Sequence, residues 1–287
     1  RNYERSEDHT PDQWQGAKVD GLLPEMDLAD ASTGYHLGAQ LLDFLAPRRD
    51  GQETLTVTVP VATDCTERTV QDGVYDRDII ARQSHIALEI LRAADPCKIV
   101  TLGGECSVSV VPFTYLAEKY AGDVAMVWID AHPDITLPGD AYPGYHAIAV
   151  TACMGLGDKQ ITSMLPATID PTRILIVGLR DWEREEIKKR QQQYGISHLS
   201  PADIRSDSNA VTTWLQKCGA SKVVVHFDMD VLDPAEIIPA VGVVPEGLKI
   251  AEVTSIINGI AHEKELVGLT IAEPMPRIAI RLKKMLA

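Results

Sequence analysis

Acidic side chains and a histidine gather at the ends of two apolar segments of the sequence. The segments are VAMVWIDAHPD, residues 124–134, and KVVVHFDMD, residues 222–230. The residues concerned are Asp130, His132, Asp134, Asp228 and Asp230. Within each segment they are two positions apart, and residues two apart on an extended strand point to the same side. Each segment therefore places several potential metal ligands on one face.

This arrangement predicts a metal site. A single Asp or His at the end of a strand usually caps the next helix or bonds to a loop. Five such residues in two clusters need a cation between them, because burial of uncompensated carboxylates costs several kcal/mol. Oxygen ligands with one imidazole favour Mn²⁺ first, then Mg²⁺, Zn²⁺ or Fe²⁺, and this many carboxylates indicates two ions rather than one.

Six apolar runs rich in β-branched residues predict the strands that position these groups. They cover residues 55–61, 98–104, 124–132, 173–181, 222–230 and 266–274. Their apolar character is continuous, which is typical of strands covered on both faces. Stretches with helical spacing lie between them, and this alternation predicts a parallel sheet with right-handed crossovers. The loops 134–146 and 233–247 then lie at the carboxyl edge of the sheet, where open α/β folds bind ligands.

The composition is that of an ordinary globular protein. Of 287 residues, 45% are hydrophobic and 24% charged, and we expect one α/β domain over residues 1–287, with 1–12 a polar, poorly ordered start. A formal net charge of −14 disfavours nucleic acid and membrane surfaces as partners and permits a small cationic one. Five cysteines without paired spacing indicate reduced thiols, and no apolar run is long enough to cross a bilayer, so we expect a cytoplasmic protein.

Six short motifs occur in a fixed order between residues 98 and 276. They are GGECS (103–107), DAHPD (130–134), YH (145–146), GLRD (178–181), FDMDVLDP (227–234) and AEP (272–274). In type and order this set resembles the ureohydrolase family of arginase, agmatinase and their relatives. The resemblance implies a three-layer α/β/α sandwich with a mainly parallel sheet and a binuclear manganese centre. It is weaker before residue 98, although QWQG (13–16) is similar to the start of one divergent branch.

The resemblance also implies roles for individual metal ligands. Asp130 and Asp228 would bridge the two ions. Asp134 would complete the ligands of one ion, and His132 with Asp230 would complete those of the other.

Further residues receive roles in catalysis or substrate binding from the same resemblance. His146 matches the family's proton-shuttling histidine, and Glu273 matches the glutamate that holds the substrate guanidinium. Glu183 and Glu186 match acidic residues that contact the α-amino group of the substrate. Three other histidines show no partner motif and are interpreted as structural: His198, His226 and His262.

Cys106 is the main departure from the family pattern. Most members have Gly-Gly-Asp-His here, so Cys106 stands where a metal-binding imidazole is expected and Glu105 where an Asp is expected. A lone cysteine after a strand is usually a small buried hydrophobe, but its place in the motif favours ligation as a thiolate. Four aspartates and one thiolate give −5 against +4 from two divalent ions, which weakens the ions as Lewis acids and shifts preference towards Zn²⁺ or Fe²⁺.

The predicted reaction is hydrolysis of a C–N bond at a guanidine or amidine carbon. A metal-bridging hydroxide attacks the carbon, Asp134 orients it, Glu273 positions the cationic group and His146 delivers a proton. A weaker nucleophile fits an N-hydroxyguanidine, and the divergent branch with Cys at this position includes an Nω-hydroxyarginine hydrolase. Arginine is in doubt: arginases grip the α-carboxylate with Asn, Ser and Thr of this loop, whereas loop 134–146 has Thr136, Tyr142, Pro143 and Gly144 in that region and is about one residue shorter.

Two other interpretations stay open. One is a catalytically inactive metal-binding relative with a regulatory or scaffold role. The other is a hydrolase of acylated amines with a single zinc, which the second Asp pair and His132 disfavour. The substrate, the physiological metal and the number of subunits are also open, a homo-oligomer being one option.

Overall fold

A six-stranded parallel sheet forms the centre of the protein. The computed structural model describes residues 31–47, 51–57 and 69–277. The strands in chain order are β1 (Val70–Gln71), β2 (Val74–Tyr75), β3 (Ile99–Leu102), β4 (Val124–Ile129), β5 (Ile174–Val177), β6 (Ser197–Leu199), β7 (Lys222–Asp228) and β8 (Glu265–Ala272). The first two form an antiparallel pair. The other six form the sheet in the order β3-β8-β7-β4-β5-β6, with every neighbouring pair parallel.

Helices cover both faces of this sheet. They are α1 (Ala31–Leu45), α2 (Arg77–Ala94), α3 (Val110–Lys119), α4 (Ala149–Cys153), α5 (Lys159–Thr162), α6 (Glu185–Tyr194), α7 (Pro201–Ser206), α8 (Ala210–Lys217) and α9 (Ile250–Glu263). Met126 and Trp128 of β4 belong to a core cluster with residues of α2 to α6. Val127 and Ile129 belong to a second cluster, with residues of α7 to α9. The predicted three-layer α/β/α sandwich with a mainly parallel sheet is therefore confirmed.

The central strands explain why the sequence shows continuous apolar runs. All six residues of β4 and all four of β5 are buried, since helices pack on both sides. Burial of each Val, Ile or Leu side chain contributes about 1.5–3 kcal/mol. These two strands therefore hold the sheet rigid beside the loops that follow them.

The structure also departs from the predicted strands. Four of the six predicted runs contain a strand with narrower bounds, and the run 266–274 overlaps β8, which begins one residue earlier. Residues 55–57 form no strand, so the prediction over 55–61 is wrong there, and 58–61 lie outside the described residues. The apolar side chain of Leu55 is exposed and does not pack in the core. The sequence reading missed β6, a three-residue strand at the sheet edge. The predicted poorly ordered start, 1–12, also lies outside the described residues.

An ion pair fixes the loop after β4 to helix α6. Arg190 in α6 donates to both carboxylate oxygens of Asp140, with Nη2 3.1 Å from Oδ1, and Nη1 also donates to the carbonyl of Ile135 at 3.1 Å. Burial would raise the pKa of Asp140, but its hydrogen bonds with Arg190 and the Leu137 amide outweigh that effect and lower the pKa. The loop that carries Asp134 at its start is thus held by a bidentate contact.

Asp140→Asn is expected to lower the free energy of unfolding by about 1–2 kcal/mol at pH 7. Because the folded-state pKa of Asp140 is lowered, its contribution is present above the unfolded pKa of about 4 and is lost as the pH falls through the folded value. Urea denaturation at pH 7 and pH 3 should show the difference from wild type shrinking at the lower pH. An equal difference at both values would contradict the ion pair as its source.

Candidate metal centre

Three predicted ligands and the predicted substrate-binding Glu273 meet where four neighbouring strands end. Cys106 follows β3, Asp130 follows β4, Asp228 ends β7 and Glu273 follows β8, and these strands are consecutive in the sheet. All four residues are buried. In a parallel sheet the carboxyl ends of the strands lie at one edge, so residues far apart in sequence converge there.

Two groups of potential ligands share Asp130. In the first group, ligand atoms of Cys106, Asp130, His226 and Asp228 all lie within 4.8 Å of one another. In the second, those of Asp130, His132 and Asp230 do the same. Among the described residues, Asp130 alone belongs to both groups.

Sulfur and carboxylate oxygen are in close contact in the first group. Cys106 Sγ lies 2.9 Å from Asp228 Oδ2 and 3.9 Å from Glu273 Oε1. Burial and the charges of Asp228, Asp134 and Glu273 raise the pKa of the Cys106 thiol well above its usual value. A thiol in these surroundings becomes a thiolate only when a cation offsets the neighbouring charges.

An imidazole bridges the carboxylates of the second group. His132 Nδ1 lies 2.9 Å from Asp230 Oδ2 and 3.5 Å from Asp130 Oδ1. Burial would lower the pKa of His132, but the two carboxylates outweigh it and raise the pKa well above the usual value. Burial would likewise raise the pKa of Asp230, yet His132 lowers it to about 2. The His132 ring thus lies between these two carboxylates.

Backbone amides and one indole N–H orient the carboxylates of both groups. Asp130 accepts from the indole Nε1 of Trp128 at 2.9 Å and from the His132 amide at 2.6 Å. Asp228 Oδ1 accepts from the Asp230 amide at 2.6 Å. A Cβ on Gly242 would lie 2.6 Å from Asp230 Oδ2, so only glycine leaves room for this carboxylate. These contacts hold the carboxylates in place.

The buried carboxylates raise one another's pKa. Burial and the charge of Asp230 raise the pKa of Asp130 to about 6. Burial, followed by Asp230 and Asp130, raises the pKa of Asp228 well above its usual value, and burial and Asp130 do so for Asp134. This crowding is unfavourable unless protons or metal ions compensate it.

Asp134 and Glu273 have left-handed backbone conformations. Their φ angles are 49° and 62°, in a region that favours glycine. Asp134 is buried and its Oδ2 has no hydrogen-bond partner among the described residues. Such conformations cost about 1–3 kcal/mol each and are concentrated at functional sites. Asp134 belongs to neither group of ligands, but its free oxygen is available for a water or an ion.

Helix α1 brings an unpredicted residue to Glu273. The Tyr35 hydroxyl donates to Glu273 Oε2, and both side chains are buried. A Cβ on Gly38 would lie only 1.7 Å from the Pro274 carbonyl oxygen, so α1 packs directly on the segment after β8. The sequence offers no signal for this contact, because Tyr35 is 238 residues away from Glu273.

Glu105 has a local structural role beside Cys106. Its side chain accepts from the Ser107 amide at 2.9 Å and caps the 3₁₀ turn Cys106–Ser109. Burial raises the pKa of Glu105 to about 7, although its hydrogen bonds with Ser107 oppose the shift. Glu105 thus holds the turn that directs Cys106 into the first group.

Besides Asp134 and Glu273, three further predicted site residues lie outside both groups. His146 is half-buried, with its ring centroid 5.3 Å from that of Tyr142. Glu183 and Glu186 are exposed at the start of α6, where Arg184 lies 3.8 Å and 3.2 Å from their carboxylates. Their roles stay predictions.

His226, in contrast, lies in the first group although it was not predicted as a site residue. From the sequence it was interpreted as structural. It lies two residues before Asp228 on β7, so both side chains share one face of the strand. This spacing was the signal available in the sequence. Burial lowers the pKa of His226 to about 3, which keeps its imidazole neutral.

Comparison with known proteins places this site in a family. The sequence profile of the arginase family matches residues 45–286. The chain belongs to the arginase family. It is similar to the arginases of Eremothecium gossypii, at 30% identity over 213 residues, and of Entamoeba histolytica, at 28% over 186 residues. The alignments cover 70% and 63% of this chain, but only 53% and 62% of those relatives.

A solved structure shows that this arginase-family chain shares the fold of its relatives. The crystal structure of Entamoeba histolytica arginase in complex with L-ornithine matches with a TM-score of 0.73 at 22% sequence identity. The match covers 93% of this chain and 89% of the other. The profile match over residues 45–286 confirms the predicted membership of the ureohydrolase family, and the solved structure adds the shared fold.

Proposed function

We propose that the protein hydrolyses a C–N bond of a small cationic guanidine or amidine at a binuclear metal centre. The observation that carries this proposal is the pair of ligand groups that share Asp130, with Glu273 beside the first. A single-zinc hydrolase of acylated amines needs only one group. Family membership supports two ions, and the solved relative that holds L-ornithine supports a small amino-acid-like ligand.

The residues present fit two divalent ions. The carboxylates are buried, crowded and oriented by backbone amides, and the Asp134 oxygen has no other partner among the described residues. The residues that would hold the ions are Cys106, Asp130, Asp134, Asp228, His132 and Asp230. Mn²⁺ is the proposed metal, with Zn²⁺ or Fe²⁺ as alternatives because of the sulfur ligand. Divalent ions, when bound here, supply an acidified water and offset the carboxylate charge.

The chain's own residues position the reactants. Glu273 accepts hydrogen bonds from the cationic group of the substrate, and Tyr35 holds the Glu273 carboxylate in place. Asp134 accepts a hydrogen bond from the attacking water through its unpaired oxygen. His146 delivers a proton to the departing nitrogen. Water oxygen bonds to the carbon as the C–N bond breaks, so the products are a urea or hydroxyurea and an amine.

Acidic residues at the start of α6 are proposed to bind the end of the substrate away from the metal centre. Glu183 and Glu186 are proposed to contact an ammonium group of the substrate. Their loop lies near the centre, since Asp181 Oδ2 is 4.0 Å from His132 Nε2 and Asp181 Oδ1 accepts from the Glu183 amide at 2.7 Å. Their present pairing with Arg184 leaves them exposed to an incoming cation.

Cys106 favours an N-hydroxyguanidine over an unmodified guanidine. A thiolate in contact with Asp228 adds negative charge to the centre, which makes the attacking water less acidic. An N-hydroxyguanidine tolerates this because its carbon is easier to attack. Nω-hydroxyarginine is the proposed member of this class.

Its setting in the cell is a further proposal. Among the described residues, no helix has both the length and the apolar character required to cross a membrane. We place the protein in the cytoplasm and leave a homo-oligomer as one option, with no nucleic acid or membrane as partner.

A panel of substrates tests the proposed activity. After reconstitution with Mn²⁺, we expect turnover of Nω-hydroxyarginine above that of arginine, agmatine, guanidinobutyrate and formiminoglutamate, measured as urea or hydroxyurea and amine. Glu273→Gln should lower kcat/KM by about 100-fold, because a buried charged contact with the substrate is lost.

The remaining outcomes separate the alternatives. Bound metal without turnover of any compound would favour the inactive relative with a regulatory or scaffold role. Activity on arginine equal to that on hydroxyarginine would remove the N-hydroxyguanidine hypothesis. One metal per chain with amidase activity would favour the single-zinc hydrolase.

A further inference from the structure

His226 is held rigidly in the core next to the candidate metal centre. It is fully buried on β7, and its ring stacks on that of Trp128 with the centroids 3.6 Å apart and the planes at 12°. One ring nitrogen lies within 4.8 Å of ligand atoms of Cys106, Asp130 and Asp228. Because a face of the imidazole is covered by the indole, the ring can make polar contacts only through the nitrogens at its edge.

The two nitrogens of this imidazole have different surroundings. Nδ1 is 2.8 Å from the Ser109 hydroxyl oxygen, whereas Nε2 is buried and has no hydrogen-bond partner among the described residues. Ser109 is the residue before α3 but does not use its hydroxyl to cap that helix. Its side chain is committed to His226 instead. Metal-bound histidines regularly use the second nitrogen in such a bond, which fixes the tautomer and the ring orientation.

The unpaired nitrogen is explained by a cation. A proton on Nε2 would form a hydrogen bond with one of the neighbouring carboxylates, and no such bond is found among the described residues. A lone pair on Nε2 would be buried without an attractive partner, at a cost of about 1–3 kcal/mol. A divalent ion between these groups satisfies the nitrogen, the sulfur and the carboxylates together.

We infer that His226 binds a metal ion through Nε2, as the imidazole ligand of the first group beside Cys106. This inference rests on the proposed binuclear centre and adds a ligand to it. The first group then offers sulfur, nitrogen and two carboxylates, whereas the second offers two carboxylates and one nitrogen. Sulfur and imidazole together favour Zn²⁺, so the two halves of the centre differ in metal preference.

The inference is tested by metal affinity rather than by activity. Zn²⁺ binding to the purified chain is measured by competition with a chromophoric chelator, and Co²⁺ substitution reports the sulfur ligand through its thiolate charge-transfer absorption. His226→Gln is expected to weaken binding of the tighter Zn²⁺ by about 100-fold and to shift the Co²⁺ spectrum. Affinity within threefold of wild type, with an unchanged spectrum, would overturn the inference.

His198→Gln is the matched control. His198 also lies against a tryptophan, Trp182, with ring centroids 5.6 Å apart, and its Nδ1 is 2.8 Å from Gln191 Nε2. It lies outside both ligand groups. The variant should keep wild-type Zn²⁺ affinity; a loss equal to that of His226→Gln would assign both effects to packing and overturn the inference.

Ser109→Ala decides the question if His226→Gln does not fold. It removes only the partner of Nδ1 and should weaken Zn²⁺ binding by about tenfold, as is typical for groups that orient a ligand. Unchanged affinity would overturn the inference. A wild-type chain that binds Zn²⁺ with this dependence on His226 but hydrolyses nothing would refute the proposed function alone. Turnover with affinity independent of His226 would refute the inference alone.

Discussion

Asp130→Asn is expected to remove both metal ions and to lower hydrolytic turnover by about 10⁴-fold. Asp130 has a ligand atom in each of the two groups, so its loss weakens both halves of the centre. An amide oxygen carries no net charge and leaves a binuclear centre without the carboxylate between its ions. Metal content by mass spectrometry and steady-state kinetics on the best substrate measure the two effects.

The same substitution should separate metal-dependent from intrinsic stability. In the metal-free protein, the substitution removes a negative charge that neighbouring carboxylates repel, which stabilises the fold. It also removes one of the two hydrogen bonds that Asp130 accepts, from Trp128 or from the His132 amide, which destabilises the fold by a similar amount. The free energy of unfolding should then change by about 1 kcal/mol or less. Metal at 100 times its dissociation constant adds about 2.7 kcal/mol per site to wild type and little to the variant. Urea denaturation with and without Mn²⁺ measures both quantities.

Asp233→Asn is the control for this prediction. Asp233 belongs to the same FDMDVLDP motif, but its carboxylate accepts from the Ala235 amide at 2.9 Å and lies outside both groups. It should keep both ions and turnover near the wild-type rate. Two ions retained in Asp130→Asn, or equal losses in Asp233→Asn, would refute Asp130 as the shared ligand.

The sequence was sufficient to predict the sheet because its central strands are covered on both sides. A continuous apolar run such as that of β4 favours a buried strand over a buried helix because it is short and rich in β-branched residues. Strand β6 was not predicted, since its three partly exposed residues at the sheet edge do not form an apolar run. The prediction of a strand was wrong at residues 55–57, because hydrophobic character alone does not provide a neighbouring strand to pair with.

The site was predictable only where its residues share a strand end. Spacing by two placed Asp228 and Asp230 together, and a parallel sheet brought Asp130 to the same edge. Tyr35 could not be predicted, since its contact with Glu273 depends on how α1 packs after the whole sheet has formed. His226 was hidden for a different reason. A histidine within an apolar strand looks like a core residue until its unpaired nitrogen is seen.

Cys106 is expected to set both metal retention and substrate preference. Cys106→Ala should lose the ion of the first group and lower turnover by about 10³-fold, because a charged ligand in contact with Asp228 is removed. Cys106→His should restore the ion, since a neutral imidazole is a good ligand for the same metals. Metal content and kcat/KM on Nω-hydroxyarginine and arginine are the measurements. Cys153→Ala, another fully buried thiol but outside both groups, is the control.

The histidine variant distinguishes a charge effect from simple loss of a ligand. With Cys106 as thiolate, four aspartates and one sulfur carry −5 against +4 from the ions, whereas imidazole reduces this to −4 against +4. The ions become stronger Lewis acids and the attacking water more acidic, so the ratio of arginine to hydroxyarginine kcat/KM should rise by about tenfold, or about 1.4 kcal/mol. An unchanged ratio with full metal content would show that Cys106 binds metal without setting reactivity. A loss on both compounds with two ions bound would mean that the thiolate itself is required for the chemistry.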